Sequence, residues 1–336
     1  MEIKAWAIKQ YKQGLTKYTY EKNVGENDVL IQIKYCSLLK ADIFFIDNFW
    51  GDTKYPLVPS SEMFGVVVKK GKKVNNIKIG DYVGVGYQTD ACLKCTSCRE
   101  GKEQFCNKQR VIAIHENGGL AKHIIVNSNF VYLIPSNLQK PEYVSLLGYG
   151  LTSYSAIKHA NLKKGMAVGV VGLGNLGHIA AQILVSKNHT VTAFTHTEEK
   201  TTQLKKIGIR RFINPLNEKD LDKNKGTFDY ILVTTYHDYD WSKFIELLKP
   251  EGNLHFIGLP NKNISFPAIL LADYARRTVS GSYIGSRKEM KELLLFAEKK
   301  NIRALTQVFS ISEVSKAISI LRNNKGPFNI VIKISV

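Results

Sequence analysis

Residues Ala167-Val168-Gly169-Val170-Val171-Gly172-Leu173-Gly174-Asn175-Leu176-Gly177-His178 decide the reading of this chain. The first five form a short apolar run suited to a strand buried on both faces of a parallel sheet. The next six fit G-x-G-x-x-G, and a helical pattern continues through Gln182-Ile183-Leu184. Strand, glycine turn and helix in that order are the context in which the pattern marks a dinucleotide site. Gly172 permits the tight turn, Gly174 lets backbone approach a pyrophosphate, and Gly177 lets helix and strand pack closely. The helix N-terminus then offers unpaired N–H groups and a partial positive charge to the phosphates.

Strand and helix signals alternate onward from this point. Thr190 to Phe194 reads as a strand, a helix starts at about Glu198, and Tyr230 to Val233 and Leu254 to Ile257 read as further strands. This alternation predicts a doubly wound parallel sheet, so the fold class is α/β. Before residue 150 the texture differs. Val29 to Lys34, Gly65 to Val68 and Gly80 to Gly86 are short β-like runs, and helical periodicity is scarce. That part predicts a mainly β domain. After about residue 285 come helices at Met290 to Lys299 and Val314 to Leu321, then a closing strand from Asn329 to Ile334.

At roughly 150 residues per domain, 336 residues suggest about two domains. The 44% apolar and 23% charged content excludes disorder over most of the length. Lys plus Arg is 47 against 29 Asp plus Glu, a balance of +18. The basic residues are scattered, which favours a solvated surface over a nucleic-acid or membrane partner. No apolar run reaches the ~18 residues a bilayer requires. Met1 to Trp6 carries no signal-peptide core, so the expected compartment is the cytoplasm.

The end of the second strand bears on the choice of cofactor. An acidic side chain about 20 residues after the glycines would hold a free ribose 2′-OH. Thr195 stands there, followed by His196, Thr197 and Lys200. Without that carboxylate a 2′-phosphate meets no repulsion, and Thr195, Thr197 and Lys200 supply hydrogen bonds and charge. The expected cofactor is NADP(H).

Cys92, Cys95, Cys98 and Cys106 read C-x2-C-x2-C-x7-C. Four thiolates so close can converge on one tetrahedral ion and leave it no open position, which predicts one structural zinc. An iron–sulfur cluster is the weaker alternative. Cys36 stands apart and suits a small buried apolar role.

Together with Tyr55-Pro56-Leu57-Val58-Pro59, Leu247-Leu248-Lys249-Pro250-Glu251-Gly252 and Gly281-Ser282-Tyr283-Ile284-Gly285-Ser286-Arg287, these features resemble the zinc-dependent medium-chain dehydrogenase/reductase family. The cinnamyl-alcohol-dehydrogenase-like branch is the most similar. The resemblance implies a GroES-like catalytic domain over residues 1–147, with a zinc lobe at about 88–108. It implies a Rossmann NADP(H)-binding domain over 148–284 and a return to the catalytic domain over 285–336. It also implies an active site in the cleft and a homodimer. Lys40 stands where the family places a cation against the pyrophosphate, and Thr152 keeps a hydroxyl near the nicotinamide. The expected cofactor contacts are Lys40, Thr152, Gly172, Leu173, Gly174, Asn175, Leu176, Gly177, Thr195, His196, Thr197, Lys200, Thr234, Gly258 and Ser282.

The family's catalytic-zinc motifs are altered. Its Cys-Gly-x-Cys-His-Ser-Asp reads Cys36-Ser37-Leu38-Leu39-Lys40-Ala41-Asp42, so Leu39 takes a ligand position and Ala41 that of the proton-relay hydroxyl. Its Gly-His-Glu reads Ser60-Ser61-Glu62, and Gly148 stands where a third ligand, Cys, precedes Tyr149. Asp42 and Glu62 persist, but zinc in protein sites is held chiefly by sulfur and nitrogen donors.

Three readings follow for a small-molecule substrate. The first is an NADP(H)-dependent reductase of conjugated or electrophilic carbonyl-type acceptors without catalytic zinc, with Ser61, Glu62, Tyr149 and Lys40 as the catalytic candidates. Tyr87 is a further hydrogen-bond donor for a developing oxyanion. The second is a cofactor-binding protein without turnover. The third is an alcohol or aldehyde dehydrogenase that holds zinc by an unusual ligand set.

Overall fold

A computed structural model describes every residue except Thr197, Asn324, Lys325, Pro327, Ser335 and Val336, and only the backbone of Glu198 and Glu199. The chain forms two compact units, Met1–Gly148 with Ser286–Val336, and Tyr149–Gly285. The divisions fall one residue later than the sequence places them.

The first unit opens with β1 (Glu2–Ile8), β2 (Leu15–Glu21), β3 (Asp28–Leu38), helix α1 (Lys40–Ile46), β4 (Met63–Lys70), β5 (Tyr82–Val85) and β6 (Gln88–Asp90). It continues with α2 (Thr96–Arg99), β7 (Arg110–Val111), β8 (His123–Asn127) and β9 (Val131–Leu133). The expectation of scarce helix missed α1, whose seven residues are too short to reveal a helical period.

The second unit runs α3 (Tyr149–His159), β10 (Ala167–Val171), α4 (Asn175–Ser186), β11 (Thr190–Phe194), α5 (Glu198–Lys206), β12 (Arg211–Ile213) and α6 (Glu218–Asp222). It ends with β13 (Phe228–Val233), α7 (Trp241–Glu246), β14 (Leu248–Phe256), α8 (Ile269–Ala272) and β15 (Thr278–Gly281). Its six parallel strands lie in the order β12-β11-β10-β13-β14-β15. The order reverses between β10 and β13, the crevice where ligands bind in such sheets. Val168, Val170 and Val171 are all buried, as a strand covered on both faces requires. At Gly169 a β-carbon would lie 2.7 Å from the Phe194 ring, so the glycine admits that ring against β10.

The chain then returns to the first unit through α9 (Arg287–Lys300), β16 (Thr306–Ser310), α10 (Val314–Arg322) and β17 (Asn329–Lys333). A reciprocal capping box between Ser286 and Glu289 starts α9, and Asn301 in left-handed backbone ends it. Met290, Leu293, Leu294 and Ala297 form its buried stripe. β17 pairs with β3, completing the sheet β16-β17-β3-β4-β5-β9, to which β8 adds by pairing with β3. Among the described residues no helix is long and apolar enough to cross a membrane.

Candidate functional site

In the second unit the glycine turn is built as the motif requires. Gly172 has φ +91°, and a β-carbon there would lie 2.6 Å from Thr235 Cβ. Gly174 is the N-cap of α4, and its missing β-carbon leaves open space through which a pyrophosphate can approach the N–H groups. A β-carbon on Gly177 would press on the Gly172 carbonyl and lie 2.6 Å from Thr234 Oγ1. The Thr234 hydroxyl donates to the carbonyls of Val171, at 3.1 Å, and Gly172. A β-carbon on Gly258 would lie 2.6 Å from Thr235 N. The glycine turn, the loop after β13 and the end of β14 thus meet at the switch point.

Leu173 and Leu176 are buried, so their side chains pack and only their backbone can face a cofactor. Asn175 opens α4. His178 is fully buried, with Nδ1 2.9 Å from the Gly174 carbonyl. Burial pushes its pKa down to about 4, so the ring is neutral near pH 7 and Nδ1 carries the donated hydrogen. Thr152 is buried on α3, and nearby Ser153 Oγ donates to the Leu176 carbonyl at 3.5 Å. Tyr149, the first residue of α3, places its hydroxyl 3.4 Å from that of Tyr236.

At the end of β11, Thr195 N donates to the Ile213 carbonyl at 3.0 Å, and His196 is exposed. Lys200 is half-buried, and burial lowers its pKa. Thr197, the other expected contact, lies outside the described residues. Beyond the C-terminal ends of β12 and β13 opens a cavity of about 250 Å³ lined by Pro215, Leu216, Leu221, Tyr239 and Phe244, among others. Its only sequence signal is the aromatic cluster around Tyr239 just past a strand end.

Ser282, after β15, belongs to a hydrogen-bonded row. Its Oγ lies 2.8 Å from His255 Nε2, His255 Nδ1 lies 2.8 Å from Ser280 Oγ, and Ser280 Oγ donates to Asn253 Oδ1 at 2.9 Å. Because Ser280 spends its hydrogen on Asn253, it accepts from Nδ1–H, and Ser282 donates to Nε2. Burial pushes His255 down to about 4, which keeps this neutral tautomer.

In the first unit Asp42 and Glu62 gather the altered motif positions. Asp42 Oδ2 accepts from Leu39 N at 2.7 Å and Oδ1 from Ser60 N at 2.9 Å. Burial pushes the Asp42 carboxyl up to about 7 despite these two donors. Ser37 Oγ donates to Glu62 Oε2, and the Glu62 side chain reaches Gly148. Leu39, at the N-cap of α1, is 3% exposed, and Ser61 is buried. No sulfur or nitrogen side-chain donor stands at Leu39, Ser61 or Gly148, so these residues do not fit a zinc ion. Lys40 Nζ donates to the Arg322 carbonyl at 3.3 Å and lies 5.7 Å from the Phe44 ring centroid. Tyr87 is half-buried, and its carbonyl accepts from Ile112 N at 3.0 Å. Cys36 is fully buried, and burial pushes its thiol up to about 12. Phe44, Phe45, Phe49 and Trp50 cluster on and just after α1, Phe44 stacking on Phe49 at 4.7 Å and Phe45 meeting Trp50 edge-on at 4.9 Å.

The four cysteine sulfurs of the lobe lie within 4.8 Å of one another. Cys92 Sγ is 3.9 Å from Cys98 Sγ and 3.5 Å from Cys106 Sγ. Zn–S bonds of 2.3 Å in a tetrahedron give sulfur separations of about 3.8 Å, so the set fits zinc. Backbone N–H groups of Lys94 and Cys95 hold the Cys92 thiol down at about 6. Among the described residues this is the one group of three or more His, Cys, Asp or Glu side chains placed to hold a metal.

Residues 25–136 match the alcohol dehydrogenase GroES-like domain, and residues 175–299 match the zinc-binding dehydrogenase domain. The aldehyde reductase AdhA of Synechocystis sp. is 31% identical over 334 residues, covering 98% of each chain. Among solved structures, a cinnamyl alcohol dehydrogenase from Sorghum bicolor superposes with a TM-score of 0.94 at 29% identity, over 99% of this chain and 98% of that one. CAD from Helicobacter pylori, complexed with NADP(H), gives 0.92 at 30% identity over the same shares. With the glycine turn, the four-thiol lobe and a GroES-like sheet completed from both ends, the chain belongs to the zinc-type medium-chain alcohol dehydrogenase family, in its cinnamyl-alcohol-dehydrogenase-like branch, and is an oxidoreductase.

Proposed function

We propose that this protein reduces conjugated or otherwise electrophilic carbonyl-type small molecules with NADPH and without a catalytic zinc. The observation that carries the reading is the pairing of a complete glycine cradle with Leu39, Ser61 and a Gly148 site filled by Glu62. NADPH, when bound, supplies the hydride. The chain's residues hold it: the α4 N-terminus takes the pyrophosphate, and Thr195 and Lys200 receive the 2′-phosphate. The cavity beyond β12 and β13 suits the adenine. The cofactor-bound structure of the H. pylori relative supports the choice of NADP(H). The lobe cysteines hold one zinc, which stiffens the lobe and takes no part in the chemistry.

The acceptor class follows from energetics. A bound alcohol starts from a pKa of roughly 16, and a metal that brings bound water to about 7 changes it by some nine units. At 1.36 kcal/mol per unit this is roughly 12 kcal/mol, an upper bound. One hydroxyl donor at a developing oxyanion contributes about 3 to 4 kcal/mol. An enone or quinone, which delocalises the charge, needs less. Ser61, Tyr149 and Lys40 are the donors we assign, and Glu62, held by Ser37, shapes the site behind Ser61. The aromatic surface of Phe49 and Trp50, 50% and 40% exposed, suits planar acceptors. Among the described residues β15 is an edge strand of its sheet, which supports a homodimer.

The test is to chelate the protein, establish by elemental analysis that the lobe zinc remains, and assay NADPH oxidation against enones, quinones and aldehydes. Reduction of the first two with negligible oxidation of simple primary alcohols is expected. Robust alcohol turnover at neutral pH would overturn the reading.

A further inference from the structure

We infer that Tyr149 and Tyr236 work as a phenol pair, Tyr149 giving the proton to the acceptor oxygen and Tyr236 stabilising the phenolate left behind; this rests on the reductase reading above. Both residues belong to the second unit and are half-buried, with their hydroxyls 3.4 Å apart. Tyr149 begins α3, whose Ser153 reaches the Leu176 carbonyl of the glycine turn. Tyr236 follows Thr235, which abuts both Gly172 and Gly258, so it stands at the C-terminal edge of the sheet beside the switch point. Asn261 Nδ2 donates to the Tyr236 carbonyl at 2.9 Å and fixes that loop. The pair therefore sits where a reduced dinucleotide and its acceptor would meet in a sheet of this kind.

The step balances. Hydride supplied by NADPH, which is thereby oxidised to NADP+, would add to the acceptor carbon as the π-electron pair moves onto oxygen. The Tyr149 O–H bond breaks, an O–H bond forms on the acceptor, and the bonding pair stays on the Tyr149 oxygen. Tyr236 donates its hydrogen to that anion, and a solvent proton restores Tyr149. A phenol, with an ordinary pKa of about 10, yields its proton more readily than a serine hydroxyl. A 3.4 Å resting separation is compatible with the role, because catalytic hydrogen bonds commonly tighten only in the complex.

The experiment compares wild type, Tyr149→Phe and Tyr236→Phe as full-length proteins, with NADPH and the best acceptor of the enone, quinone and aldehyde panel. The kcat and kcat/KM are measured across pH, and NADPH affinity is measured by fluorescence. Tyr149→Phe is expected to lose at least about a hundredfold in kcat with NADPH affinity unchanged. Tyr236→Phe is expected to lose about tenfold. It also moves the basic limb of the pH profile upward, because the phenolate of Tyr149 loses a stabilising donor; a purely structural role would not move that limb. Wild-type rates in Tyr149→Phe, or an unmoved basic limb in Tyr236→Phe, would overturn the pair alone. Absence of turnover by the wild type with NADPH bound would overturn the reductase reading and the pair together.

Discussion

The Glu62 side chain occupies the space into which any side chain at Gly148 would project: a β-carbon on Gly148 would lie 3.0 Å from Glu62 Cγ and 3.1 Å from Cδ. Glu62 is fully buried and tied to Ser37, so it has little room to withdraw. Gly148→Ala should therefore destabilise the protein by about 1 to 3 kcal/mol in urea unfolding, the usual cost of overfilling a core. Combining it with Glu62→Ala should cost less than the sum of the two single changes, since the second frees the volume the first demands. Strictly additive losses would contradict the steric account.

Ser60 carries φ +79°, a region costly for a side-chain-bearing residue. It is held there by its N–H to Asp42 and by Oγ donating to the Glu62 carbonyl at 3.3 Å. Ser60→Gly removes strain of about 1 to 3 kcal/mol and forfeits the hydroxyl's bond to the Glu62 carbonyl, about 1 kcal/mol, together with its contact to the Cys36 thiol. The variant is expected to be as stable as wild type or slightly more so. A loss beyond about 1 kcal/mol in thermal or urea unfolding would show that the hydroxyl outweighs the backbone strain.

Asp42 predicts a pH dependence. Its carboxyl is raised to about 7 in the folded chain, above the ordinary value near 4. Between those values the folded state binds a proton that the unfolded state has lost, so this group's contribution to stability falls as pH rises from about 4 to about 7. Asp42→Asn should flatten the stability profile in that window while losing one of the two backbone contacts at Leu39 and Ser60. Denaturant midpoints across pH for both proteins check this, and an unchanged slope would contradict it.

Elemental analysis of desalted protein should find one zinc per chain, and Cys98→Ser should find markedly less, with a lower melting temperature. The lobe is also braced by Arg287, whose Nη2 lies 2.7 Å from Glu103 Oε1. Two zinc ions per wild-type chain would show that a catalytic metal persists.

Changing Thr195 to Asp puts a carboxylate at the end of β11, where we place the 2′-phosphate. NADPH affinity should drop at least tenfold, about 1.4 kcal/mol, while NADH affinity holds or rises. Fluorescence titration with both cofactors decides, and an unchanged ratio would place the 2′-phosphate elsewhere.

What the sequence made legible is what chemistry requires within a few residues. The glycine turn and the cysteine spacing are local patterns, and the parallel sheet follows from apolar runs such as Val168 to Val171 alternating with helices. Leu39, Ser61 and Gly148 are also local features, because each sits inside a short motif. Contacts closed by the fold are not. Tyr149 and Tyr236 are 87 positions apart and meet only after α3 and the loop after β13 are placed. The filling of the Gly148 site by Glu62 has no sequence signature, since it depends on which way one buried side chain turns. The hairpin of β1 and β2 has no clear sequence signature either, as β2 has no buried residue to mark an inward face.

The row Ser282–His255–Ser280–Asn253 has a consequence for how β15 is laid against β14. His255 stands opposite Ser280 in the ladder, with Val279 and Gly281 as the neighbours on either side. A shift of β15 by a single residue would bring those two to the imidazole in place of the serines and strand both ring nitrogens without a partner in a buried setting. Every hydroxyl in the row has one assigned direction, so the polar side chains act as a key that fits one alignment. The outermost strand of a parallel sheet has a neighbour on one side only and the least backbone pairing to fix its position; here that alignment is written in side-chain hydrogen bonds.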